Sequence, residues 1–345
     1  MANVLVIDGN YQINRAMHVG SFSELRDPAG NKTGGLFGFM SIMETLQGKV
    51  PADRVVVVWD GGRSIRRETI YPPNKETMTG YKVGRGILPT MTAAEIAEKT
   101  EFYKNLEYQK SIATPLLGAL GIHVIQYPQR EADDVIAYLS RLLVADGDRV
   151  CLATDDSDYV QLVGPNVVVF KPLVSRFVTM ENFVTEVGVP QDWAAFKKAV
   201  IGDKSDDIPG VVGVGDKTID GFIQCYIKEE VKSQVTGQFD NDHFMRLYND
   251  HYFRGYFTPD LAKFYDFASR SSSSRVQKIP AAKSLIARNI QLVDLSLERF
   301  PDIVATAFRS KLGNRLAYNE QMVVGMLSQF GMNSFLENYA KFSKM

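Results

Sequence analysis

Carboxylates recur at short intervals between residues 8 and 207 of the chain. They follow short apolar runs or precede helical patterns, in the segments VIDG, VVWDGG, READD, TDDSD and GDKSDD. Within READD, helical spacing places Glu131 and Asp134 on one face of a turn, with Asp133 beside them. We interpret Asp155 and Asp207 as bystanders. The candidate metal ligands are Asp8, Asp60, Glu131, Asp133, Asp134, Asp156, Asp158, Asp203 and Asp206.

So many acids in one cleft would repel one another unless cations neutralise them. Oxygen ligands suit Mg²⁺ or Mn²⁺, and none of the four histidines has a zinc-type spacing with a cysteine. Two such ions can activate a water molecule and stabilise the leaving oxygen in phosphoryl transfer. The pattern therefore predicts two divalent ions and the hydrolysis of a phosphodiester bond.

Each acid taken singly has a plainer interpretation. Asp8 is equally well explained as a turn or helix cap, and the acids of READD suit the N-terminus of a helix. Asp203 and Asp206 have the alternative of capping a loop. The coincidence of five acidic places, two of them at strand ends, favours the metal site.

Five short β-branched runs must position these acids. Near-continuous apolar strands with helical patterns between them predict a parallel sheet covered on both faces, and ligands collect at the carboxyl ends of such strands. Asp8 and Asp60 directly follow two of the runs. From about residue 190 helical patterns dominate. The predicted strands are residues 4–7, 55–59, 122–126, 149–154 and 166–170.

Composition excludes several classes of protein. Hydrophobic residues make up 45% and charged residues 23% of the 345 residues, and the net charge is −1, so overall charge indicates no partner. Basic charge is local, with six basic and two acidic groups within residues 63–85. Two cysteines argue against a disulfide framework, and no apolar run approaches the length of a membrane span. An acid in the first apolar run argues against a secretory leader, so we expect a cytoplasmic protein without membrane contact.

Seven segments in order resemble the flap endonuclease/5′→3′ exonuclease family. They are VLVIDGNY, VVWDGGRSIRRETIYP, YKVGR, ALGI, EADDVIA, TDDSDYVQL and GDKSDDIPGVVGVGDKTI, and they cover roughly residues 3–220. This family includes phage 5′-nucleases and the 5′-nuclease domain of bacterial DNA polymerase I. The resemblance implies an α/β fold: a PIN-like parallel sheet flanked by helices, a helical arch, and a helix-turn-helix-like (helix-3-turn-helix) DNA-binding domain. The implied domains are a nuclease domain at 1–189 with the arch at about 63–113, a helical duplex-DNA-binding domain at 190–300, and a C-terminal helical segment at 301–345.

The resemblance also implies roles for the acids and for two cations. The first metal ion is assigned to Asp8, Asp60, Glu131 and Asp133, with Asp134 close by, and the second to Asp156, Asp158, Asp203 and Asp206. Lys82 and Arg85 match the family's YK-x-x-R positions, whose cations contact the scissile phosphate and offset its developing charge. A solvated basic surface is the ordinary alternative for such a run.

Further DNA contacts are implied at three places. In the basic stretch, Arg63, Arg66 and Arg67 are candidates for positioning phosphates, and Tyr81 is a candidate for stacking on a base. The stretch also contains extra residues, NKETMTG, relative to the family. Because of them, Lys75 is an alternative to Lys82 for the contact with the scissile phosphate. GVVGVGDK, with Gly210, Gly213, Gly215 and Lys217, matches the duplex-binding element. NKTGGLFGFM, with Gly34 and Gly35, resembles a segment beneath the template strand, and a plain helix start is the open alternative.

The implied activity is Mg²⁺- or Mn²⁺-dependent cleavage at 5′ ends or flaps of branched or nicked duplex DNA and of RNA–DNA primer junctions. The chain is most similar to the phage enzymes, among them one called ribonuclease H that removes RNA primers, so we expect a monomer acting in phage replication in the host cytoplasm. A single-strand-binding protein and a sliding clamp are candidate partners.

Three competing functions fit the sequence less well. A phosphatase of the haloacid-dehalogenase type needs a second acid at position 10, which is Asn10. A PIN-type ribonuclease is shorter and lacks the glycine-rich element. A DNA-binding scaffold that does not cleave has no need of both acidic sets.

Overall fold

A six-stranded sheet forms the centre of the molecule. The computed structural model describes residues 1–22, 24–234, 246, 259–314 and 316–336. The strand order is β3-β2-β1-β4-β5-β6, in which the first five strands are parallel and β6 is antiparallel to β5. The strands are β1 Asn3–Asp8, β2 Arg54–Trp59, β3 His123–Gln126, β4 Arg149–Ala153, β5 Val167–Lys171 and β6 Arg176–Val178.

The five predicted strands are confirmed within one residue at each end. Their β-branched runs are buried on both faces, as expected for parallel strands between helical layers. The sixth strand was not predicted. It is three residues long and lies at the sheet edge with Arg176 and Phe177 exposed, so it carries too little hydrophobic pattern to be recognised.

Helices cover both faces of the sheet and are joined to its strands by loops and short 3₁₀ turns. In the first half they are α1 Gly9–Met17, α2 Gly34–Lys49, α3 Ile65–Ile70, α4 Ala93–Ala119 and α5 Ala132–Ala145. In the second half they are α6 Phe183–Val187, α7 Ala194–Ile201, α8 Asp216–Gln234, α9 Leu261–Ser269, α10 Lys278–Ala281, α11 Lys283–Val293, α12 Asp302–Gly313, α13 Glu320–Gln329 and α14 Asn333–Leu336. Two short strands, β7 Gly202–Asp203 and β8 Ile208–Pro209, pair antiparallel between α7 and α8.

Two apolar clusters hold the helices on the sheet. One joins α1, α2 and α4 to the face that carries Ile7 and Val57, and the other joins α5 and α12 to the face that carries Val6 and Val58. The sheet is therefore covered on both sides, which confirms the predicted α/β class. Its carboxyl edge stays open between the first turns of α1 and α5.

A third apolar cluster lies among the helices that follow residue 188. Trp193, Phe196, Tyr226 and Phe264 form its aromatic centre, and Tyr81 from the basic stretch packs into it. This separate core is in keeping with a distinct helical region. The predicted boundaries at 189 and 300 and the helix-3-turn-helix assignment stay predictions, and residues 235–245 and 247–258 of that region lie outside the described chain.

The described part of the C-terminal segment returns to the sheet. Val323, Leu327 and Phe335 join the cluster of α1, α2 and α4, so this segment packs against the sheet domain up to residue 336. Its last predicted residues, 337–345, lie outside the described chain. Among the described residues no helix has the length and apolarity of a membrane span, and Cys151 and Cys225 are both free thiols.

Candidate active site

A cleft of about 940 Å³ opens at the carboxyl edge of the sheet. It gathers eight of the nine predicted acids from strand ends, a helix start and two loops. Because β1 and β2 are neighbours, Asp8 at the end of one and Asp60 after the other meet at this edge. The acids that line the cleft are Asp8, Asp60, Glu131, Asp133, Asp156, Asp158, Asp203 and Asp206.

Asp8 and Asp60 are fixed by hydrogen bonds that leave them facing the cleft. Asp8 caps α1 by accepting from Tyr11 N at 2.9 Å, and its second oxygen accepts from the Tyr159 hydroxyl at 2.7 Å. Asp60 accepts from Ala132 N at 2.7 Å. Burial and the charge of Asp60 raise the pKa of Asp8 to about 7, and burial also raises the pKa of Asp60. The helix-cap interpretation of Asp8 is correct, and it coexists with a place in the acidic cleft.

The acids at the start of α5 surround one buried guanidinium. Arg67 Nη1 lies 2.7 Å from Glu131 and 2.9 Å from Asp133, and Nη2 lies 2.9 Å from Asp134. Burial would raise the pKa of Glu131, but Lys82 and Arg67 outweigh it and hold that pKa at about 2. Burial raises the pKa of Asp133 well above its ordinary value, against the opposing charge of Arg67. Asp134 is fully buried and does not line the cleft; it closes a capping box by accepting from Glu131 N.

The second acidic set lies on the loops after β4 and α7. Lys198 Nζ stands between Asp158 at 2.5 Å and Asp203 at 2.7 Å. Burial favours the neutral acid, but the contacts of Lys198 and Ser205 lower the pKa of Asp203 to about 2. Asp156 accepts from Asp158 N at 2.9 Å and so orients the loop. Asp155 points elsewhere, to Arg15 and Leu173 N, as expected of a bystander.

This donor set fits divalent metal ions. Carboxylate oxygens of Glu131, Asp133 and the buried Asp134 come within 4.8 Å of one another, and Glu131 and Asp133 share the cleft with Asp8 and Asp60. All of these donors are hard oxygen atoms, and burial together with the neighbouring charge of Asp60 raises the pKa of Asp8. Part of the negative charge is already balanced by Arg67, Lys82 and Lys198, and the rest is available to a metal.

Lys82 and Arg85 line the cleft, and their predicted contact with the scissile phosphate stays a prediction. Lys82 Nζ lies 2.8 Å from Glu131 and 3.6 Å from Asp206, and Arg85 Nη2 lies 2.6 Å from Asp206. The Lys82 side chain is 11% exposed and that of Arg85 is 49% exposed. Lys82 therefore joins the two acidic sets, whereas Arg85 pairs with Asp206 of the second set and is the more open to an incoming anion.

Three predictions for the basic stretch need correction. Arg67 does not position a phosphate, because its side chain is 2% exposed and both of its terminal nitrogens pair with acids. Arg66 pairs with the buried Glu298 and donates to Gln291 O. Tyr81 is wholly buried with its hydroxyl donating to Glu131 at 2.6 Å, so its ring is closed to a nucleobase. The hydrophobic contacts and salt bridges of these side chains depend on residues far along the chain, which local spacing does not reveal.

Arg63 and Lys75 remain partly available. Arg63 is half-exposed and donates to Lys82 O at 3.2 Å and to Glu68. Lys75 is exposed in the extra segment, which closes as a short turn by the pairing of Asn74 with Thr79. Their predicted contacts with DNA stay predictions.

The predicted glycines fall into two groups. At the first three, a Cβ atom would clash with neighbouring atoms of the chain. A Cβ at Gly34 would lie 1.9 Å from Phe22 O, and a Cβ at Gly35 would lie 2.4 Å from Met17 Cγ. A Cβ at Gly210 would lie 2.0 Å from Ile201 O. These three glycines are explained by close packing within the chain. Gly34 and Gly35 begin α2, which agrees with the alternative interpretation of this segment as an ordinary helix start. Gly213 and Gly215 are exposed beside the exposed Lys217, which leaves them accessible to a ligand.

Lys198, Lys110 and Tyr159 are among the cleft residues that the sequence analysis did not single out. Lys198 lies in the last turn of α7, five residues before Asp203, and that position next to an acidic loop is the signal that was available. Lys110, from the middle of α4, also lines the cleft, and Tyr159 lies behind Asp8. For Lys110 the sequence offers no local signal, because α4 meets the site only through the fold, whereas Tyr159 directly follows Asp158 in the acidic segment TDDSDYVQL.

Comparison with known proteins decides the family. A sequence model described as 5′–3′ exonuclease, N-terminal resolvase-like domain, matches residues 3–193, more than half of the chain. The chain belongs to this 5′–3′ exonuclease family. The resemblance deduced from the ordered motifs, and with it the prediction of the 5′-nuclease family, is confirmed.

Curated relatives and solved structures agree with that family. A 5′–3′ exonuclease of Aquifex aeolicus is 29% identical over 226 residues, covering 66% of this chain and 70% of the relative. DNA polymerase I of Mycobacterium tuberculosis is 31% identical over 229 residues, 65% of this chain but only 23% of the polymerase. The similarity thus spans about a quarter of the polymerase.

The fold is shared with a bacteriophage T5 enzyme. The T5 5′-exonuclease with bound zinc ions superposes with a TM-score of 0.60 and 19% identity, covering 94% of this chain and 98% of that one. The T5 flap endonuclease in a pseudo-enzyme–product complex with DNA and metal ions gives a TM-score of 0.57 and 20% identity, covering 95% and 98%. At this identity the likeness establishes the 5′–3′ exonuclease fold.

Proposed function

We propose that this chain is a structure-specific 5′-nuclease that hydrolyses phosphodiester bonds at 5′ ends or flaps of duplex DNA and RNA-primed DNA with two Mg²⁺ or Mn²⁺ ions. The single observation that supports this most is the shared cleft. It is lined by eight carboxylates from two acidic sets, and Lys82 and Arg85 stand on its rim.

In this proposal the acids of the cleft bind the metal ions, and the cations Lys82 and Arg85 stabilise charge on the phosphate. Asp8, Asp60, Glu131 and Asp133 would hold one ion and Asp156, Asp158, Asp203 and Asp206 the other. Bound divalent ions supply an activated water and neutralise charge on the phosphate. Arg85 and Lys82 provide positive charge at the rim, where the non-bridging oxygens of a phosphate gain charge in the transition state.

DNA recognition in this proposal depends on shape. Gly213 and Gly215 expose backbone N–H groups near Lys217 at the start of α8, and a helix start favours a phosphate. Contacts with phosphates do not read the base sequence, so the geometry of the DNA junction would select the substrate. Relatives solved with DNA and metal support this view by analogy of fold. A role in phage replication, and contacts with a single-strand-binding protein or a sliding clamp, rest on the resemblance alone.

The test is a comparison of substrates and metals. A 5′-labelled flap duplex, a nicked duplex, an RNA-primed duplex and a free single strand are incubated with Mg²⁺, with Mn²⁺ and with EDTA. We expect short 5′ products from the junction substrates with either metal and none with EDTA. Binding of the flap without cleavage in all conditions would indicate a DNA-binding scaffold, and preferential cleavage of free single-stranded RNA would indicate a PIN-type ribonuclease.

A further inference from the structure

The turn that carries Lys82 and Arg85 has an unusual backbone. Lys82 adopts φ 52° and ψ 31°, the left-handed region that side chains with a Cβ seldom occupy. Such a conformation costs about 1 kcal/mol and persists only where surrounding contacts hold it. The contacts that hold this turn therefore set the position of two cations at the cleft.

One set of contacts comes from the acidic loop at residues 203–207. Lys82 N donates to Asp206 O at 2.9 Å, and Arg85 Nε donates to Ser205 O at 3.2 Å. Between them, Gly84 N donates to the side chain of Asp207 at 2.8 Å. Asp207 is itself left-handed, with φ 57°, a conformation that Asp and Asn tolerate better than most residues. Asp207, which the sequence analysis took for a bystander, is thus the one side chain of this loop that holds the middle of the turn.

A second contact comes from α4, on the other side of the turn. Lys99 Nζ donates to Gly84 O at 3.3 Å and to Gly86 O at 2.9 Å. The Lys99 side chain is half-buried, and both of these acceptors belong to the turn. Gly84 is therefore held from both sides, at its N–H by Asp207 and at its carbonyl by Lys99.

We propose that Asp207 and Lys99 are positioning residues that lock the turn of Lys82 and Arg85 onto the acidic loop. The inference rests on the proposed function, in which those two cations act on the scissile phosphate. Neither Asp207 nor Lys99 lines the cleft, so each acts through the turn. A displacement of about 1 Å at reacting groups can cost on the order of a hundredfold in rate, which sets the scale of the expected effect.

The first test replaces Asp207. Asp207→Gly keeps the left-handed backbone accessible but removes the acceptor, whereas Asp207→Asn keeps an acceptor oxygen. We expect Asp207→Gly to lower the single-turnover rate of flap cleavage in Mg²⁺ by about 10- to 100-fold. Its Kd for the flap in EDTA and its Tm should stay close to those of wild type, and Asp207→Asn should restore most of the rate. A wild-type rate for Asp207→Gly, or an equal loss in Asp207→Asn, would overturn the proposal.

The second test replaces Lys99 and decides the matter if Asp207→Gly does not fold. Lys99→Met should lower the same rate with little change in Kd, Lys99→Arg should restore part of it, and Lys104→Met, an exposed lysine of α4, should behave as wild type. Lys99→Met with an unchanged rate would contradict the proposal. Failure of the wild-type protein to cleave would instead contradict the proposed nuclease function, so the two failures are distinct.

Discussion

At the scale of single residues, Asp8 shows how one acid joins structure and chemistry. It caps α1 and accepts from Tyr159, yet it also lines the cleft next to Asp60. Burial and the charge of Asp60 raise its pKa from 3.8 to about 7. A raised folded-state pKa stabilises the fold at low pH, and that stabilisation is lost as the pH rises through the folded pKa.

Asp8→Asn should therefore stabilise the metal-free protein, and more so at high pH. In EDTA we expect the gain in free energy of unfolding over wild type to grow by about 2 kcal/mol between pH 5 and pH 8. Urea unfolding at the two pH values measures it, with Asp53→Asn, an exposed acid at the opposite end of the sheet, as control. If the gain in free energy of unfolding is the same at both pH values, ionisation of Asp8 does not destabilise the folded protein, which contradicts the prediction.

The sequence predicted the acids better than the cations. Asp8 and Asp60 follow apolar runs, and their position at strand ends is a local property that also fixes where they meet. A cation gives no such signal, because a guanidinium on a short helix can turn toward solvent or toward buried acids. Arg67 turns inward to the acids at the start of α5, a contact across 64 or more positions of the chain that local spacing does not reveal.

At the scale of elements, the loop between β8 and α8 contains glycines that differ in whether a side chain would fit at their position. Gly210 lies against Ile201 O, where a Cβ would come within 2.0 Å, while a Cβ at Gly215 would meet open space. The sequence pattern G-x-x-G-x-G does not distinguish these two cases, since both positions look alike without the neighbouring chain.

Gly210→Ala and Gly215→Ala form a matched pair. We expect Gly210→Ala to lower the free energy of unfolding by about 2 kcal/mol or more, because backbone must move to admit the methyl group. Gly215→Ala should stay within about 0.5 kcal/mol of wild type. Thermal and urea unfolding of both variants provide the check, and equal losses would contradict the packing explanation.

The strands were predictable because each is short, apolar and bounded by loops, whereas β6 was not. Three residues at an edge do not establish a period, and their pairing with β5 depends on the hairpin that joins them. The helix-rich region after residue 190 was visible from periodicity. Its docking on the basic stretch through Tyr81 and Arg66 was not, because no local pattern reports a contact over more than 100 residues.

At the scale of the whole molecule, Arg66 joins the basic stretch to the chain segment around Gln291 and Glu298. It pairs with Glu298 and donates to Gln291 O, while Arg130 Nε lies 3.7 Å from the same Glu298. Glu298 is fully buried. Removing one partner of a buried pair leaves a poorly compensated charge, which typically costs about 3–5 kcal/mol.

Arg66→Met should therefore destabilise the fold by about 3 kcal/mol, and the double variant Arg66→Met/Glu298→Leu should recover part of that loss. Urea unfolding measures the stability, and titration of a flap duplex measures DNA binding under folded conditions. If Arg66→Met keeps its stability but binds the duplex more weakly, Arg66 contacts phosphate, as its sequence position alone had indicated.

The central claim is that the acids at the carboxyl edge of the sheet form a metal-dependent nuclease centre. The most direct measurement is single-turnover cleavage of a 5′-flap duplex in Mg²⁺ by wild type, by Asp133→Ala, and by Asp302→Asn, which replaces an exposed acid on α12. We predict rapid cleavage by wild type and Asp302→Asn, a loss of at least about a hundredfold in Asp133→Ala, and flap binding in EDTA by all three. Undiminished cleavage by Asp133→Ala, or none by a wild type that binds the flap, would contradict this account.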